Sequence, residues 1–546
     1  MWAHFCSVVL KTAWVLHCLH QLSASINDQQ LKRMSVSRAA TAAALHVLVT
    51  DIPADVDGPT VLAAVWGAPA PLAAGGGLTA TYPVFECAEL EKMEARSEAL
   101  SLQIADAEWA LLHGAKGIRP RHRTGLCGLT GPWVDTLTVL EAERAAIEAK
   151  AAEICAAAPR GPDACSKAGV PLRRAVFAVF TDARAATVAA QAAVGRDAFS
   201  YRLRPAPEPA NVYWPNVGRL SHEQRAHARW VGTIVTLCIC LFFMIPVAFA
   251  QSLATLSNLT RMLPVLKPAV KLQPVKAIIE GVLPGIVLLV FLAFLPAIFK
   301  CIAARVEGLE TLSALQLSVL RRLCLFGFLN VFLGSIVAGS VFGALKTIVS
   351  RPVGAVSAIA TAIPATSRFF MTLVLLKSFT VSSYAIKSLI YLVKSRLLAK
   401  SPTSKAAAWA PAPEALEVDI SGTLLILLLV IVFTTLQPVM HVVGMLYFIP
   451  ALVAAKQAAF FTHEAPYEGG AALWPAIRKE VVQVLVIYQI TMTVALALKV
   501  APAQAVLTFA CVPVTLGLHA SLAKCYRGDE GSSGKSRGEG AGAVLS

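Results

Sequence analysis

Charged residues are scarce in this sequence. They make up 15% of its 546 residues, whereas 56% are hydrophobic, and the mean hydropathy is +0.64. In a soluble globular domain, roughly a quarter of the residues are charged. The shortage excludes a soluble globular protein for the chain as a whole and indicates that most of it lies in lipid.

Motifs for catalysis and metal binding are also missing. The sequence has no Walker A string and no GxSxG elbow, and His463–Glu464 lacks the second histidine of a zinc-protease helix. The twelve cysteines form no CxxC pair and are explained as small buried hydrophobes in a reducing compartment. We therefore expect no enzyme, no cofactor and no resident metal. Glu464 and Glu468 are either calcium ligands or part of a solvated face.

Charge is distributed unevenly along the chain. Residues 1–227 contain long charged stretches, and the apolar density lies in 228–523. This predicts an aqueous domain followed by a multi-span helical domain. The net charge of +15 would suit a nucleic-acid partner, but lysines and arginines on the cytoplasmic loops of a membrane protein give the same excess. We expect a lipid bilayer as the partner and no nucleic acid.

The N-terminal part predicts one span and a small domain. Residues 3–20 are apolar apart from Lys11 and predict a first membrane span within 1–22, with a signal peptide as the alternative. An α/β domain is expected over about 45–205, or 45–220 with the segment that leads into the membrane. Its predicted strands are at 45–50, 80–85, 175–180 and 199–204, and its predicted helices are at 86–114 and 134–158.

Apolar segments recur from residue 228 onward. Residues 420–455 are too many for one span of about 20 residues and suit two, with a break at Gln437–Pro438. Basic residues flank every second boundary, which places the α/β domain and the C-terminus in the cytosol. The Gly- and Ser-rich tail 526–546 is expected to be disordered. The nine predicted spans are 3–20, 230–250, 278–299, 323–343, 364–393, the two within 420–455, 481–499 and 501–522.

Several strings resemble those of one family, in unbroken order over about 1–525. They are VLVTDIP (47–53), RPRHRTGL (119–126), RPAPEPANVYWPNV (204–217), FFMIPVAFAQSLATL (242–256), GVLPGIVLLVFLAFLP (281–296), FLNVFLGSIVAGSVF (328–342) and YEGGAALWP (467–475). The chain resembles the OSCA family of hyperosmolality- and stretch-gated, calcium-permeable cation channels. The membrane fold of that family is similar to the anoctamin bundle.

The resemblance implies a fold and a function. The cytosolic α/β domain would be RNA-recognition-like and would form a homodimer, with one pore in each subunit, in the plasma membrane. The permeating ions would include calcium. Because family members start with two further spans, the resemblance also implies an N-terminally shortened chain, either a fragment or a truncated gene model. The pore would be lined by the helices at 230–252, 278–299, 323–343, 364–396 and 420–437.

The strands of the α/β domain do not favour RNA binding. An RNA-recognition sheet stacks bases on aromatic side chains of its two central strands. Here strand 45–50 offers Leu48, and strand 175–180 supplies Phe177 and Phe180 but has Ala175 at the other stacking position. The pattern favours a folding scaffold. The nearby basic loop, residues 116–123, either touches anionic lipid heads or is a solvated charge run.

Three polar or helix-breaking residues within the spans are candidates for pore lining. Pro246 removes a helix hydrogen bond, and Gln251 brings an amide to the end of the same span. A packing kink is the alternative explanation for this pair. Asn330 in the 323–343 span is either a pore amide or an interhelical hydrogen-bond partner.

Polar residues recur along the apolar stretch 367–396. At about 100° per residue they fall on one helix face, which predicts a stripe that lines water, whereas lysines snorkelling from a tilted helix are the alternative. The stripe contains Lys377, Thr380, Tyr384, Lys387, Ser388, Tyr391 and Lys394.

Acidic residues are missing where a cation pore would use them. Neither 311–413 nor 420–463 contains an Asp or Glu, and Leu289 occupies a position where the resembling family often has lysine. Since cation pores concentrate carboxylates or carbonyls, cation selectivity is the least supported part of the implied function. The alternatives are an anion-preferring conductance, a scramblase-like lipid transporter with a basic groove, and a non-conducting family member.

Overall fold

The computed structural model describes most of the chain. The described residues are 1–36, 45–52, 77–86, 88–113, 119, 121–123, 132–157, 172–191, 201–252, 290, 293–336, 352–382, 416–462, 467 and 473–543. The strands are β1 His46–Thr50, β2 Leu78–Phe85, β3 Arg121–Arg123, β4 Trp133–Asp135, β5 Leu172–Phe180 and β6 Arg202–Pro205. The first helices are α1 Trp2–Val36, α2 Ala88–His113, α3 Thr136–Ala157 and α4 Ala183–Gln191.

A four-stranded antiparallel sheet forms the base of the N-terminal domain. The order is β2-β5-β1-β6, so that β5 and β1 are central, and β3 and β4 form a separate hairpin. The four predicted strands and the two long helices are confirmed. In the sequence, α2 and α3 lie between β2 and β5, and they pack against each other. The RNA-recognition-like character of the domain remains a prediction.

Both faces of the central strands are covered by protein. On one face Phe180 packs with Ala186 and Ala189 of α4. On the other, Phe177 lies beneath the segment that follows β6, with its ring centroid 5.9 Å from that of Trp214. The grouping of Phe177 with Phe180 as stacking candidates was wrong, because residues three apart in a strand point to opposite faces. Within the described residues, the two central strands are therefore packed against protein on both faces.

The described residues of the C-terminal part are mainly helical. Its helices are α5 His222–Ser252, α6 Leu312–Phe326, α7 Pro352–Ser382, α8 Leu416–Leu436, α9 Met440–Gln457, α10 Leu473–Leu498 and α11 Pro502–Ala543. Residues 293–301 are also helical, and π-helical turns follow at Ile302–Val306, Gly327–Leu333 and Ala458–Thr462. Within the described residues, seven helices are long and apolar enough to cross a membrane. Of the nine predicted spans, 278–299 lies mostly outside the described residues, and 364–393 is described as far as Ser382.

One break was predicted correctly and one boundary was not. Gln437 and Pro438 separate α8 from α9, as expected. The span predicted at 323–343 instead begins at Leu312, where the Thr311 hydroxyl caps the helix by accepting from the Ala314 amide at 3.2 Å. The predicted span began after Arg322 because a charged residue interrupts the apolar pattern. That guanidinium is paired with Glu307, however, and can remain inside the helix.

Lys11 explains the interruption in the first apolar segment. Its ammonium donates to the hydroxyls of Thr434 and Thr435, both at 2.7 Å, and lies 5.5 Å from the Tyr488 ring centroid. A lysine in lipid normally faces the protein interior and a polar partner. Since α1 also packs against α8, α10 and α11, these contacts favour a span over a cleaved signal peptide.

At the C-terminus, the last helix is longer than the sequence predicts. The candidate span Pro502–Lys524 ends where predicted, but α11 continues to Ala543 through the stretch for which composition predicts disorder. Extending an existing helix gains one backbone hydrogen bond per residue, whereas the glycines of this stretch oppose it. Disorder of 526–546 in solution remains a prediction.

Candidate functional site

A cavity of about 700 Å³ lies among the membrane helices. Its walls come from Val290, Ala293 and Pro296 and from α6, α7, α8 and α9. One water occupies about 30 Å³ of the liquid, so the space can hold many waters or a hydrated ion. Most of the wall is apolar, as at Phe326, Leu425 and Ala451.

Packed aromatic rings fix the helices that form these walls. Phe370 of α7 lies between Phe332 and Phe433, with ring centroids 6.3 and 4.9 Å away, and all three rings are buried. Such pairs contribute about 0.5–1.5 kcal/mol beyond their buried area. The rings join the π-helical turn after α6 to α7 and α8, which positions the polar side chains of the cavity.

Polar side chains reach the cavity from three helices. α7 supplies Lys377 and Thr380, α8 supplies Asp419, Ser421 and Thr423, and α9 supplies Tyr447. The hydroxyls of Thr423 and Tyr447 are hydrogen-bonded at 3.2 Å.

Lys377 and Asp419 give the cavity one charge of each sign. They are the only charged side chains among its described lining residues, and the negative charge of Asp419 acts on Lys377. Asp419 lies in the first turn of α8, where the helix dipole favours a carboxylate. The arrangement offers an ion a partner of either sign inside a mainly apolar wall.

The predicted site residues have different outcomes. Lys377 and Thr380 share a face and both line the cavity, whereas Phe379, predicted to lie opposite them, is 73% exposed. Asn330 is fully buried in the π-helical turn after α6, away from the described lining. Neither amide atom of Asn330 has a hydrogen-bond partner within the described structure.

Five other candidates lie outside what the structure describes. Pro246 and Gln251 belong to α5, but the structure does not describe their side chains. Leu289, Tyr384 and Lys387 lie wholly outside the described residues. Their proposed roles in pore lining remain predictions.

Sequence reasoning missed Asp419, Thr423 and Tyr447. Asp419 stands one residue before the long acid-free stretch 420–463, so it was counted with the loop rather than the helix. A usable signal was present, since Asp419 and Thr423 are four residues apart and therefore share a helix face. Tyr447 gave no signal of its own, because its role depends on α9 folding back against α8.

Metal ligands do not converge in the part of the chain that the structure describes. Among the described residues, no group of three or more His, Cys, Asp or Glu side chains could hold a metal ion. Asp419 is the only carboxylate among the described lining residues.

Two family models match the two parts of the chain. The model described as "Calcium-dependent channel, 7TM region, putative phosphate" matches residues 228–496, which contain the cavity. The model described as "Cytosolic domain of 10TM putative phosphate transporter" matches residues 45–216, which contain the sheet. The chain belongs to this calcium-dependent channel family. It is a multi-span membrane protein with a cytosolic domain of that family.

Relatives of the channel family agree with this assignment. The chain is 29% identical over 425 residues to "CSC1-like protein ERD4" of Brassica juncea, covering 76% of this chain and 56% of that protein. It is 28% identical over 457 residues to "Hyperosmolality-gated Ca2+ permeable channel 3.1" of Arabidopsis thaliana, covering 82% and 60%. Channel 1.7 of that plant is 26% identical over 509 residues, covering 90% and 62%. The chain thus spans a little over half the length of these relatives.

Proposed function

We propose that the protein is a gated, calcium-permeable ion channel that opens under hyperosmotic or stretch stimulus. The observation that carries this proposal is the cavity, which places an opposite-charge pair in the membrane part matched by the channel model. Relatives named hyperosmolality-gated calcium-permeable channels support the stimulus and the ion. Ion channels form no enzyme class, and we propose no catalytic activity.

The ion path proposed here follows the cavity wall. Four of the five segments expected to line a pore contribute to it. Segment 278–299 contributes Val290, Ala293 and Pro296, and the other three contribute through α6, α7 and α8. Lys377, Thr380, Asp419 and Thr423 form its polar part. Pro246, Gln251, Leu289, Asn330, Tyr384 and Lys387 are proposed to line the rest of the path.

Reconstitution tests this function directly. The purified full chain is placed in liposomes, and patches are held under stepwise negative pressure in a calcium-containing solution. We expect unitary currents that appear with pressure and are absent from protein-free liposomes. Protein that is folded and inserted but passes no current under pressure or osmotic shock would contradict the proposal.

Lipid transport is the second candidate. Lys377 places a positive charge in a mostly apolar cavity. Such a cavity could bind the phosphate head group of a lipid while the acyl chains of that lipid stay outside it. Liposomes with fluorescent lipids distinguish the two functions, because a transporter exposes inner-leaflet dye to an external quencher without passing current. Currents without dye movement favour the channel.

Assembly and orientation extend the proposal. We propose a homodimer through the cytosolic domain, in the plasma membrane, with the C-terminus in the cytosol. Arg225 and Arg229 at the start of α5 and Lys524 at the end of the last span support this orientation through the positive-inside rule. Epitope tags within 221–228 and after Cys525 should both be protected from external protease in intact cells. Cleavage of either tag would contradict the orientation.

A further inference from the structure

The segment 302–313 connects two cavity walls. It begins in the π-helical turn that follows helix 293–301 and ends in the first turn of α6. Ala293 and Pro296 line the cavity before it, and Leu323 and Phe326 line the cavity after it. A displacement of this segment would therefore move the connected ends of both helices.

The cytosolic domain binds this segment through backbone and amide contacts. Asn216 donates to the carbonyls of Ala304 and Leu309 at 2.7 and 2.9 Å. Val212 forms a β-bridge with Thr311. Further contacts are Tyr213 N to Glu310 O at 2.8 Å, Asn211 Nδ2 to Ser313 Oγ at 3.0 Å and Ser313 N to Asn211 Oδ1 at 2.9 Å.

Glu310 is the centre of a buried ion-pair network at the same place. Its Oε1 accepts from Arg225 Nη1 at 3.0 Å, and its Oε2 accepts from Arg204 of β6. Arg225, in the first turns of α5, also donates to both carboxylate oxygens of Asp51 at 2.9 and 3.1 Å. Asp51 follows β1 directly, with a φ of 61°. The network thus joins two strands of the sheet, a membrane helix and segment 302–313.

Burial makes this network sensitive to the loss of one charge. Side-chain exposure is 5% for Glu310, 4% for Asp51 and 11% for Arg225. Burial, together with the charges of Arg225 and Arg202, lowers the pKa of Arg204 to about 10. Two carboxylates face two guanidiniums, so neutralising Glu310 leaves a buried excess of positive charge.

We propose that Glu310 holds the cytosolic domain on segment 302–313 and thereby restrains the two cavity walls against opening. This inference rests on the proposed channel function. Widening the cavity between helix 293–301 and α6 requires their connected ends to move, and the docked domain opposes that movement. Glu310 is a positioning residue in this account, since it acts through the segment and does not line the cavity.

The first test compares two charge-neutralising variants in the full chain. Glu310→Gln keeps the size and one acceptor but loses the charge, and the control Glu223→Gln loses a charge at an exposed position in the first turn of α5. Hydrogen exchange in nanodiscs should speed up over 302–313 and over 323–327 for E310Q only. In pressure-stepped patches, E310Q should reach half-maximal current at lower pressure than the unmodified chain, and E223Q should not.

A crosslink tests the restraint without relying on E310Q. Val212 and Thr311 face each other across an antiparallel bridge, where Cα atoms are roughly 4.5 Å apart in a non-hydrogen-bonded pair and within reach of a disulfide. The oxidised Val212→Cys/Thr311→Cys protein should need more pressure than its reduced form. In the E310Q background, oxidation should return the half-activation pressure and the exchange rates toward those of the unmodified chain. The single-cysteine variants, treated alike, should show neither effect.

The outcomes separate this proposal from the channel function. If the unmodified chain passes no current, the channel function fails, and exchange at 323–327 still reports whether the domain controls the cavity wall. Unchanged exchange at 323–327 in E310Q, or an oxidised crosslink that leaves both exchange and pressure response unchanged, would overturn the restraint.

Discussion

Lys377 and Asp419 determine the electrostatics of the cavity at the scale of single residues. Its described wall holds no other charge, and its remaining polar groups are hydroxyls. At an effective dielectric of about 20, one charge about 4 Å from an ion contributes roughly 4 kcal/mol, which exceeds the preference that hydroxyls provide. Ion preference should therefore depend on these two side chains.

Replacing Lys377 with Asp should make the conductance more cation-selective. The change removes the positive charge and adds a second carboxylate beside Asp419. In a salt gradient the reversal potential should move toward the cation equilibrium potential. Lys499→Asp, the same charge change in the exposed turn between α10 and α11, should leave it in place. Equal shifts in the two variants would show that Lys377 does not face the ions.

Replacing Asp419 with Asn should act in the opposite direction. Lys377 then carries the only charge among the described lining residues, so the reversal potential should move toward the anion equilibrium potential. Asp28→Asn, at an exposed site on α1, serves as the matched control. A shift of D419N toward cation selectivity would contradict the assigned electrostatics.

At the scale of elements, regular patterns were predictable and long-range pairs were not. Short runs rich in apolar residues predicted the four strands, and segment length with Pro438 predicted the break between α8 and α9. Helical periodicity placed Lys377 and Thr380 on the face that lines the cavity. The start of α6 was missed because Arg322 is neutralised by Glu307, fifteen residues away, a pairing that no local pattern shows. The segment that covers Phe177 was also missed, because the contact between Phe177 and Trp214 joins residues that are far apart in the sequence.

Lys11 should contribute measurably to the attachment of α1. Lys11→Met keeps most of the aliphatic stem but removes the donor to Thr434 and Thr435, and hydrogen bonds to charged groups contribute about 1.5–3 kcal/mol. We expect a lower thermal midpoint in detergent and faster hydrogen exchange in α1. Lys32→Met, which removes an exposed ion pair with Asp28, should change neither. Identical behaviour of the two variants would show that the Lys11 contacts do not hold α1.

Gly218 is required where the sheet meets the segment leading into the membrane. Its φ is +65°, and an added Cβ would lie 2.8 Å from the Ala175 Cβ and 3.1 Å from the Ala175 amide nitrogen. Gly218→Ala should therefore cost at least about 1–2 kcal/mol through the left-handed backbone alone and lower the thermal midpoint. Gly517→Ala meets nothing within 4 Å and should be neutral or slightly stabilising. A midpoint for G218A equal to that of G517A would contradict this packing.

At the scale of the whole molecule, the cytosolic domain and the membrane helices form a connected structure. Segment 302–313 contacts the cytosolic domain and connects helix 293–301 to α6, and both of these helices contribute residues to the cavity wall. The family matches cover both parts, at 45–216 and 228–496. In the proposed function, ions pass through the cavity that is lined by Val290, Ala293 and Pro296 and by helices α6 to α9.

Cysteine modification in a conducting patch tests this claim most directly. Thr423→Cys places a thiol on the cavity wall, and Val442→Cys places one on α9 at a site that is 60% exposed and outside the cavity lining. A positively charged methanethiosulfonate is applied to both variants and to the unmodified chain, with labelling confirmed by mass spectrometry. Modification of T423C should reduce the pressure-evoked current, while V442C and the unmodified chain should keep theirs. Full labelling of T423C with no loss of current would contradict this claim.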